Sequence, residues 1–354
     1  MSGGLVITMA GFLSGFSPNY LSLLLLRGAV GFGLGSSSVP FDLLAEFLPA
    51  SRRGSFLIYI EYFWTVGSVM VAGSAWLLLS RFSWRVLTYI TAIPVSLACL
   101  GSIPLLPESP RWLLTQGRAE EAERIILSAV KMNGAKISAG IGLSKPIVDD
   151  MESRGSIMDL CSVKTLRVSI PLCILWCSFG MAYYATILFN GDVSQHDDDV
   201  NDDNDGHDSA CSFDYASTFY SALSEVIGCS IVAVIIERWG RVRSQTVLYT
   251  AAAMGAIGMG LSVSWPGKAV FTGMSVLARL GVFSASAATW VHTPELFRTE
   301  VRATGHACAN AMSQLGSSAG PFIVYRLGNV QIGLLIAALN ITCVICALCL
   351  PETV

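Results

Sequence analysis

The stretch LLRGAVGFGLGSSSVPFDLLAEFLPASRRG, residues 25–54, has a partner later in the chain, LARLGVFSASAATWVHTPELFRTEVRATG, residues 277–305. In each, an arginine opens an apolar segment rich in small residues, a glutamate closes it, and a second arginine follows seven positions after the glutamate. The sets are Arg27, Glu46, Arg53 and Arg279, Glu295, Arg302. Farther on, LLPESPRWLL (105–114), with Glu108, echoes CLPETV (349–354), with Glu352. A repeat on this scale predicts two halves built alike.

Composition says what those halves are made of. Of 354 residues, 53% are hydrophobic and only 13% charged, and the mean hydropathy is +0.59, far from a soluble domain. About ten apolar stretches approach the length needed to cross ~30 Å of hydrocarbon: 5–17, 20–46, 56–79, 86–106, 168–189, 215–236, 246–264, 269–291, 304–324 and 330–350. The expected fold is therefore all-α and polytopic, in the lipid bilayer. The first stretch lacks a basic flank and runs straight into another, unlike a cleaved signal peptide. Nine of the ten cysteines lie in or beside apolar segments as small packing residues, with Cys211 alone in a polar stretch, so no disulfide framework is expected.

If the loops alternate sides, sixteen of the 22 basic residues fall on one side, including Arg52, Arg53, Arg238, Arg241, Arg243, Arg298, Arg302 and nine between Arg111 and Arg167. That side faces the cytoplasm. The other side receives GDVSQHDDDVNDDNDGHDSACSFD (191–214), with nine aspartates and no Lys or Arg, expected to be a disordered, solvated loop that attracts cations loosely. Asn201, Asp203, Asp205 and Gly206 fall on EF-hand spacing, but the first position is not Asp and the twelfth is Ser212 where a bidentate Glu belongs. No metal is expected.

The repeat also exposes a gap. Three spans precede Arg279 but only one precedes Arg27, so a six-plus-six plan is expected to stand here as four plus six, about 10 of 12 helices. The expected division is an N-terminal bundle at 1–109, a cytoplasmic linker with an amphipathic helix around AEEAERIILSAVKM at 110–165, and a C-terminal bundle at 166–354. Between its second and third spans, the second half carries ERWGRVRS (237–244), a glycine turn with cations set against helix ends.

PFDLLAEFLPASRRG, PESPRWLL, ERWGRVRS, HTPELFRTEVRATG and the terminal LPET together make the chain resemble a major facilitator superfamily transporter, within the branch of synaptic vesicle 2-related proteins and organic cation or nicotinate-type transporters. The resemblance covers essentially the whole chain. Arg298 departs from it by standing where the family has a proline, and the SFLIYIEYFWTVGSVMVAGSAWLLL span lacks the glycine-proline signature of drug antiporters. It implies a two-bundle fold and cytoplasmic charge networks that break and re-form as the halves rock, built here from Glu46, Arg53, Glu108, Arg111, Arg238, Arg241, Glu295 and Arg302. It also implies that Tyr183 and Tyr184 line a substrate path. Trp64 and Trp290 are weaker candidates of the same kind.

Charges inside apolar spans carry the rest of the reading. Asp42 lies one helical turn deeper than Glu46 on the same face. A carboxylate there costs about 2.5–3.5 kcal/mol on insertion scales unless it is paired, hydrated or protonated. Two readings stay open for Asp42: exchange of a coupling proton, or permanent pairing with an arginine. Glu225, near mid-span, is the better cavity candidate, and Glu61 suits a structural role. Arg27 and Arg279 are counter-ions for an anionic substrate or structural residues that snorkel outward. Asn310 and Gln314, one turn apart, offer neutral hydrogen bonds. Gly31 with Gly35, and Gly316 with Gly320, suit close helix packing rather than nucleotide binding.

No Walker, nucleophile-elbow or zinc pattern occurs, so neither an enzyme nor a cofactor is expected. The expected function is secondary active transport of a small organic ion coupled to protons, without nucleic acid. The alternative is a non-transporting relative with a trafficking or regulatory role. The sequence places the protein in a plasma or intracellular vesicle membrane without choosing between them.

Overall fold

The computed structural model describes residues 2–49, 52–79, 81–134, 160, 162–201, 215–265, 268–298 and 301–353. Among them lie thirteen helices: α1 (Ser2–Gly15), α2 (Tyr20–Leu34), α3 (Ser38–Phe47), α4 (Arg53–Leu78), α5 (Trp84–Leu105), α6 (Pro110–Thr115), α7 (Ala119–Met132), α8 (Val163–Asn201), α9 (Tyr215–Trp239), α10 (Arg241–Ser262), α11 (Lys268–Leu296), α12 (Arg302–Val324) and α13 (Asn329–Leu348). The ten expected spans all fall on helices. Seven of them are long and apolar enough to cross a membrane by themselves, and α1 is a shorter apolar helix. The other two, α10 and α12, miss on hydropathy because they are rich in Gly, Ala and Ser.

Those small residues let helices approach closely. A Cβ built on Gly316 of α12 would lie 2.0 Å from the Cys177 carbonyl of α8, and one on Gly281 of α11 would lie 2.7 Å from the Ala252 nitrogen of α10. Backbone contact of this kind supplies the packing that lipid, as apolar as leucine, cannot drive. Gly316→Leu should therefore destabilise the second half by about 1–3 kcal/mol or more, read as a lowered Tm in detergent. An unchanged Tm would mean that α8 and α12 do not meet here. Gly31, by contrast, faces open space, and Gly35 caps the end of α2.

Two expectations are corrected. The acidic stretch after residue 190 does not begin a loop: α8 continues unbroken to Asn201. Apolar content marks where a span meets lipid, whereas backbone hydrogen bonding lets the helix continue beyond it. The rest of that stretch, with most of the EF-hand-like spacing, lies outside the described residues, as do 135–159 of the linker. The long span at 20–46 is also two helices, broken by turns at 35–37 where the Ser36 hydroxyl turns back to the Gly33 carbonyl.

The halves share a plan. In the second, α10 packs on α11 and α13, α8 on α12 and α13, and α9 on α11; in the first, α1 packs on α2 and α5. Helices mirroring α8 and α9 do not occur among the described residues of the first half. Accordingly, its windows at Tyr20–Phe47 and Trp84–Ser102 are each 11% buried, against 56% for Ala269–Leu296 and 44% for Asn329–Leu348.

Among the described residues, α4 joins the halves by packing on α9 and α11, and α3 by crossing α12. Helix α4 runs antiparallel to α9, from Ser55 N on Glu237 Oε1 at 3.0 Å, through Tyr62 and Ser230 at 2.8 Å, to the Trp76 and Phe219 rings 5.9 Å apart. Helix α3 crosses α12 at Asp42 and His306 and again at Ser37 and Asn310.

Candidate functional site

Within their apolar helices, α8, α9 and α11 bring three of the expected residues together. Arg279 of α11 donates through Nε to Glu225 Oε1 of α9 at 3.0 Å, with Nη2 2.9 Å from the same oxygen, and through Nη1 to Ser221 Oγ at 3.1 Å. Tyr183 of α8 donates its hydroxyl to Glu225 Oε1 at 2.7 Å. Glu225 is fully buried and its Oε2 has no partner. The opposite charge and the hydroxyl are what let that carboxylate exist in hydrocarbon. Glu61 of α4, also buried, lies within electrostatic range of Glu225.

Beside this cluster is a cavity of about 630 Å³, within the size range of small-molecule pockets. Phe63 and Trp64 of α4, Tyr183 and Tyr184 of α8, Thr218 of α9 and Arg279 reach it, and Ile90 and Pro94 of α5 close another side. The Tyr183 and Tyr184 rings meet edge to face with centroids 5.3 Å apart. The aromatic walls and the arginine suit a small organic solute that carries charge.

Arg27, the repeat partner of Arg279, is exposed and makes no ion pair among the described residues. Asn310 donates to Ser37 Oγ at 3.3 Å, a bond between the halves, while Gln314 is exposed. Neither lines the cavity. Trp64 does, whereas Trp290 packs on Trp176 with centroids 4.8 Å apart.

Asp42 is buried, and its partner is a histidine rather than an arginine. His306 Nδ1 lies 2.8 Å from Asp42 Oδ1, and the fully buried imidazole is walled by Trp176, Trp290 and Phe41 at 5.5, 5.0 and 5.8 Å between centroids. The far atoms, Asp42 Oδ2 and His306 Nε2, have no partner among the described residues. Sequence reasoning missed His306, whose signal was a titratable ring one helical turn beyond Arg302 inside an apolar segment.

At the basic ends of the helices, Arg241 is the hub. Its Nε and Nη2 fork onto Glu295 at 2.9 and 3.0 Å, and its Nη1 reaches Glu237 Oε2 at 3.2 Å. Gly240, at φ +84°, makes the expected glycine turn, and a Cβ there would lie 2.7 Å from Glu352 Oε2. Glu352 accepts the backbone N–H groups of Arg241 and Val242 at 2.7 and 3.1 Å, so the terminal LPET motif caps α10. Glu295 thus joins Arg241 rather than Arg302. Glu46 accepts a hydrogen bond from Ser109, while Glu108 and Arg238 are exposed.

Two packed bundles with paired charges inside the membrane and a solute-sized cavity at their junction define the transporter class of polytopic proteins. The family model described as "Sugar (and other) transporter" matches residues 1–354, and the chain belongs to that family, within the major facilitator superfamily. It is 30% identical to "Putative transporter svop-1" of Caenorhabditis elegans, covering 90% of this chain and 62% of that one. It is also 30% identical to the "Synaptic vesicle 2-related protein" of Xenopus laevis, covering 95% and 62%, and 26% identical to "Organic cation/carnitine transporter 7" of Arabidopsis thaliana, covering 92% and 72%. The chain therefore spans 62% of the length of the first two relatives. Its fold matches the proton:xylose symporter XylE bound to 6-bromo-6-deoxy-D-glucose, with TM-score 0.71, 18% identity and coverage of 99% of this chain and 79% of that one. The protein is a multi-pass membrane protein of a carrier family rather than an enzyme.

Proposed function

We propose that this protein carries a small organic ion across its membrane by alternating access of the two halves, with a proton as coupling ion. The observation that carries this reading is the Arg279, Glu225 and Tyr183 cluster beside the aromatic cavity. Counting charges favours a cation: Glu225 already balances Arg279, Glu61 adds a further acid, and Phe63, Trp64 and Tyr184 present faces that attract cations. One relative's name, organic cation/carnitine transporter, is in line with that choice. For the proton, Asp42 and His306 are titratable groups at a crossing that must open when the halves rock.

Asp42→Asn should abolish accumulation driven by a pH gradient in proteoliposomes, while solute exchange without a gradient persists. Gradient-driven uptake at the parent rate in that variant would remove Asp42 from coupling.

A second reading is a non-transporting relative: among the described residues, no helix mirroring α8 stands behind the α4 and α5 side of the cavity. Intact mass and N-terminal sequencing of the protein from its native membrane separate the two. A mass larger by two spans and a loop supports the transporter; a chain that begins at Met1 and accumulates no solute from a broad panel supports the scaffold.

A further inference from the structure

Three arginines at the cytoplasmic junction make no ion pair among the described residues. Arg53 opens α4 in the first half, Arg111 lies in α6 of the connecting segment, and Arg302 opens α12 in the second half. Two contacts bring them around the end of α3. The Ser109 hydroxyl donates to Glu46, which pins α6 there, and the Asp42 contact to His306 lays α12 across the same end. Because α3 and α12 cross antiparallel, Arg302, one turn before His306, approaches Glu46, one turn after Asp42.

The cations in this ring are unsatisfied. Among the described residues, the Nε atoms of Arg53 and Arg302 are buried without partners, and Arg53 Nη2 reaches the Leu48 carbonyl at 3.4 Å. Among the described residues, the acids nearby are engaged elsewhere, Glu46 by Ser109 and Asp42 by His306. Burial first, and then the Arg111 and Arg53 guanidiniums, hold Arg302 below its ordinary range, against the opposing pull of Asp42 and Glu46. The N-terminus of α4 is satisfied by Glu237 on Ser55 N, but the N-cap of α12, Val301, supplies no side-chain bond. Guanidinium forks with free N–H groups, set beside the start of α12, match the geometry and charge of a phosphate.

We propose that this junction is a binding site for a phosphate group, held by Arg53, Arg111 and Arg302 at the start of α12. Its place on the basic, cytoplasmic side gives two sources for that group, an anionic lipid headgroup of the adjoining leaflet or free phosphate. The ligand bridges both halves and the connecting segment, so it favours the arrangement in which their cytoplasmic ends are together. The site stands independently of what the cavity carries.

The test uses the full chain in nanodiscs of phosphatidylcholine, titrated with phosphatidylserine, and separately in detergent with inorganic phosphate, with thermal unfolding as readout. The parent should gain a saturable rise in Tm. In the triple variant Arg53→Gln, Arg111→Gln, Arg302→Gln, the apparent affinity should fall at least tenfold. Replacing the exposed Arg118, Arg124 and Lys131 of α7 with Gln should leave the response intact. A rise with lipid alone assigns a headgroup, and a rise with phosphate as well assigns a free anion. An equal response in parent and triple variant, an equal loss in the α7 control, or no rise with either probe overturns the site. Melting of the triple variant in pure phosphatidylcholine establishes that it folds, and Arg302→Gln alone, expected to lose part of the affinity, serves if it does not.

Discussion

Arg279→Leu is expected to cost about 3–5 kcal/mol, because it strands a buried carboxylate without its cation. Glu225 is fully buried, and Arg279 and Tyr183 share one of its oxygens. With the guanidinium gone, hydroxyls such as that of Tyr183 are left to hold it, and Glu61 remains within electrostatic range as a like charge. Expression and Tm in detergent should fall sharply. The double variant Arg279→Leu, Glu225→Leu removes both charges and should recover most of the lost stability. Uptake should be absent in both, since the cavity has lost the charged wall that orients the solute. If the double variant melts as low as the single, the pair is not what stabilises this region. If it transports, the pair is structural and the solute is held elsewhere.

The members of this cluster were legible one at a time, and their meeting was not. An ionisable residue within an apolar run is conspicuous because the membrane makes it costly, and so Glu225 and Arg279 stood out. That both would join Tyr183 depends on how α8, α9 and α11 pack, which no local spacing encodes. Asp42 stood out for the same reason, with proton exchange and an arginine partner both left open, and His306 is weakly marked because a neutral imidazole costs little in an apolar helix. The two-half plan was legible from the repeated Arg, Glu and Arg positions. The break between α2 and α3 and the run of α8 to Asn201 were not, because hydropathy reports the surroundings of a segment rather than its backbone hydrogen bonds. Glu352 was visible only as an echo of Glu108; its capping of α10 requires the chain end to return to Gly240, a contact between segments far apart in sequence.

Arg241→Leu is expected to loosen the junction at the Arg241 end of the α4 and α9 crossing without disturbing the opposite end. Arg241 is 2% exposed and forks onto Glu295 while bonding Glu237. Without it, Glu237, Glu295 and Glu352 face one another with no buried cation between them, a change worth about 3–5 kcal/mol when a buried pair is broken. The consequence reaches the other half because Glu237 also accepts the Ser55 N–H, and the α4 backbone sits hard against the cluster. A Cβ on Gly54 would lie 2.7 Å from Glu237 Oε1 and 2.8 Å from Arg241 Nη2. Like charges released beneath that contact should push α4 and α9 apart where they meet. The measurement is cysteine cross-linking at the two ends of the crossing. Between Ser55→Cys and Ala233→Cys, where the Ser55 hydroxyl lies 3.3 Å from the Ala233 carbonyl, the yield should drop severalfold in Arg241→Leu. Between Gly73→Cys and Phe219→Cys, at the outer end, it should hold. Arg241→Lys keeps the charge but not the planar fork and should fall between. Equal loss at both ends would mean general unfolding, and no loss at the inner end would mean that the halves are held there by apolar packing alone.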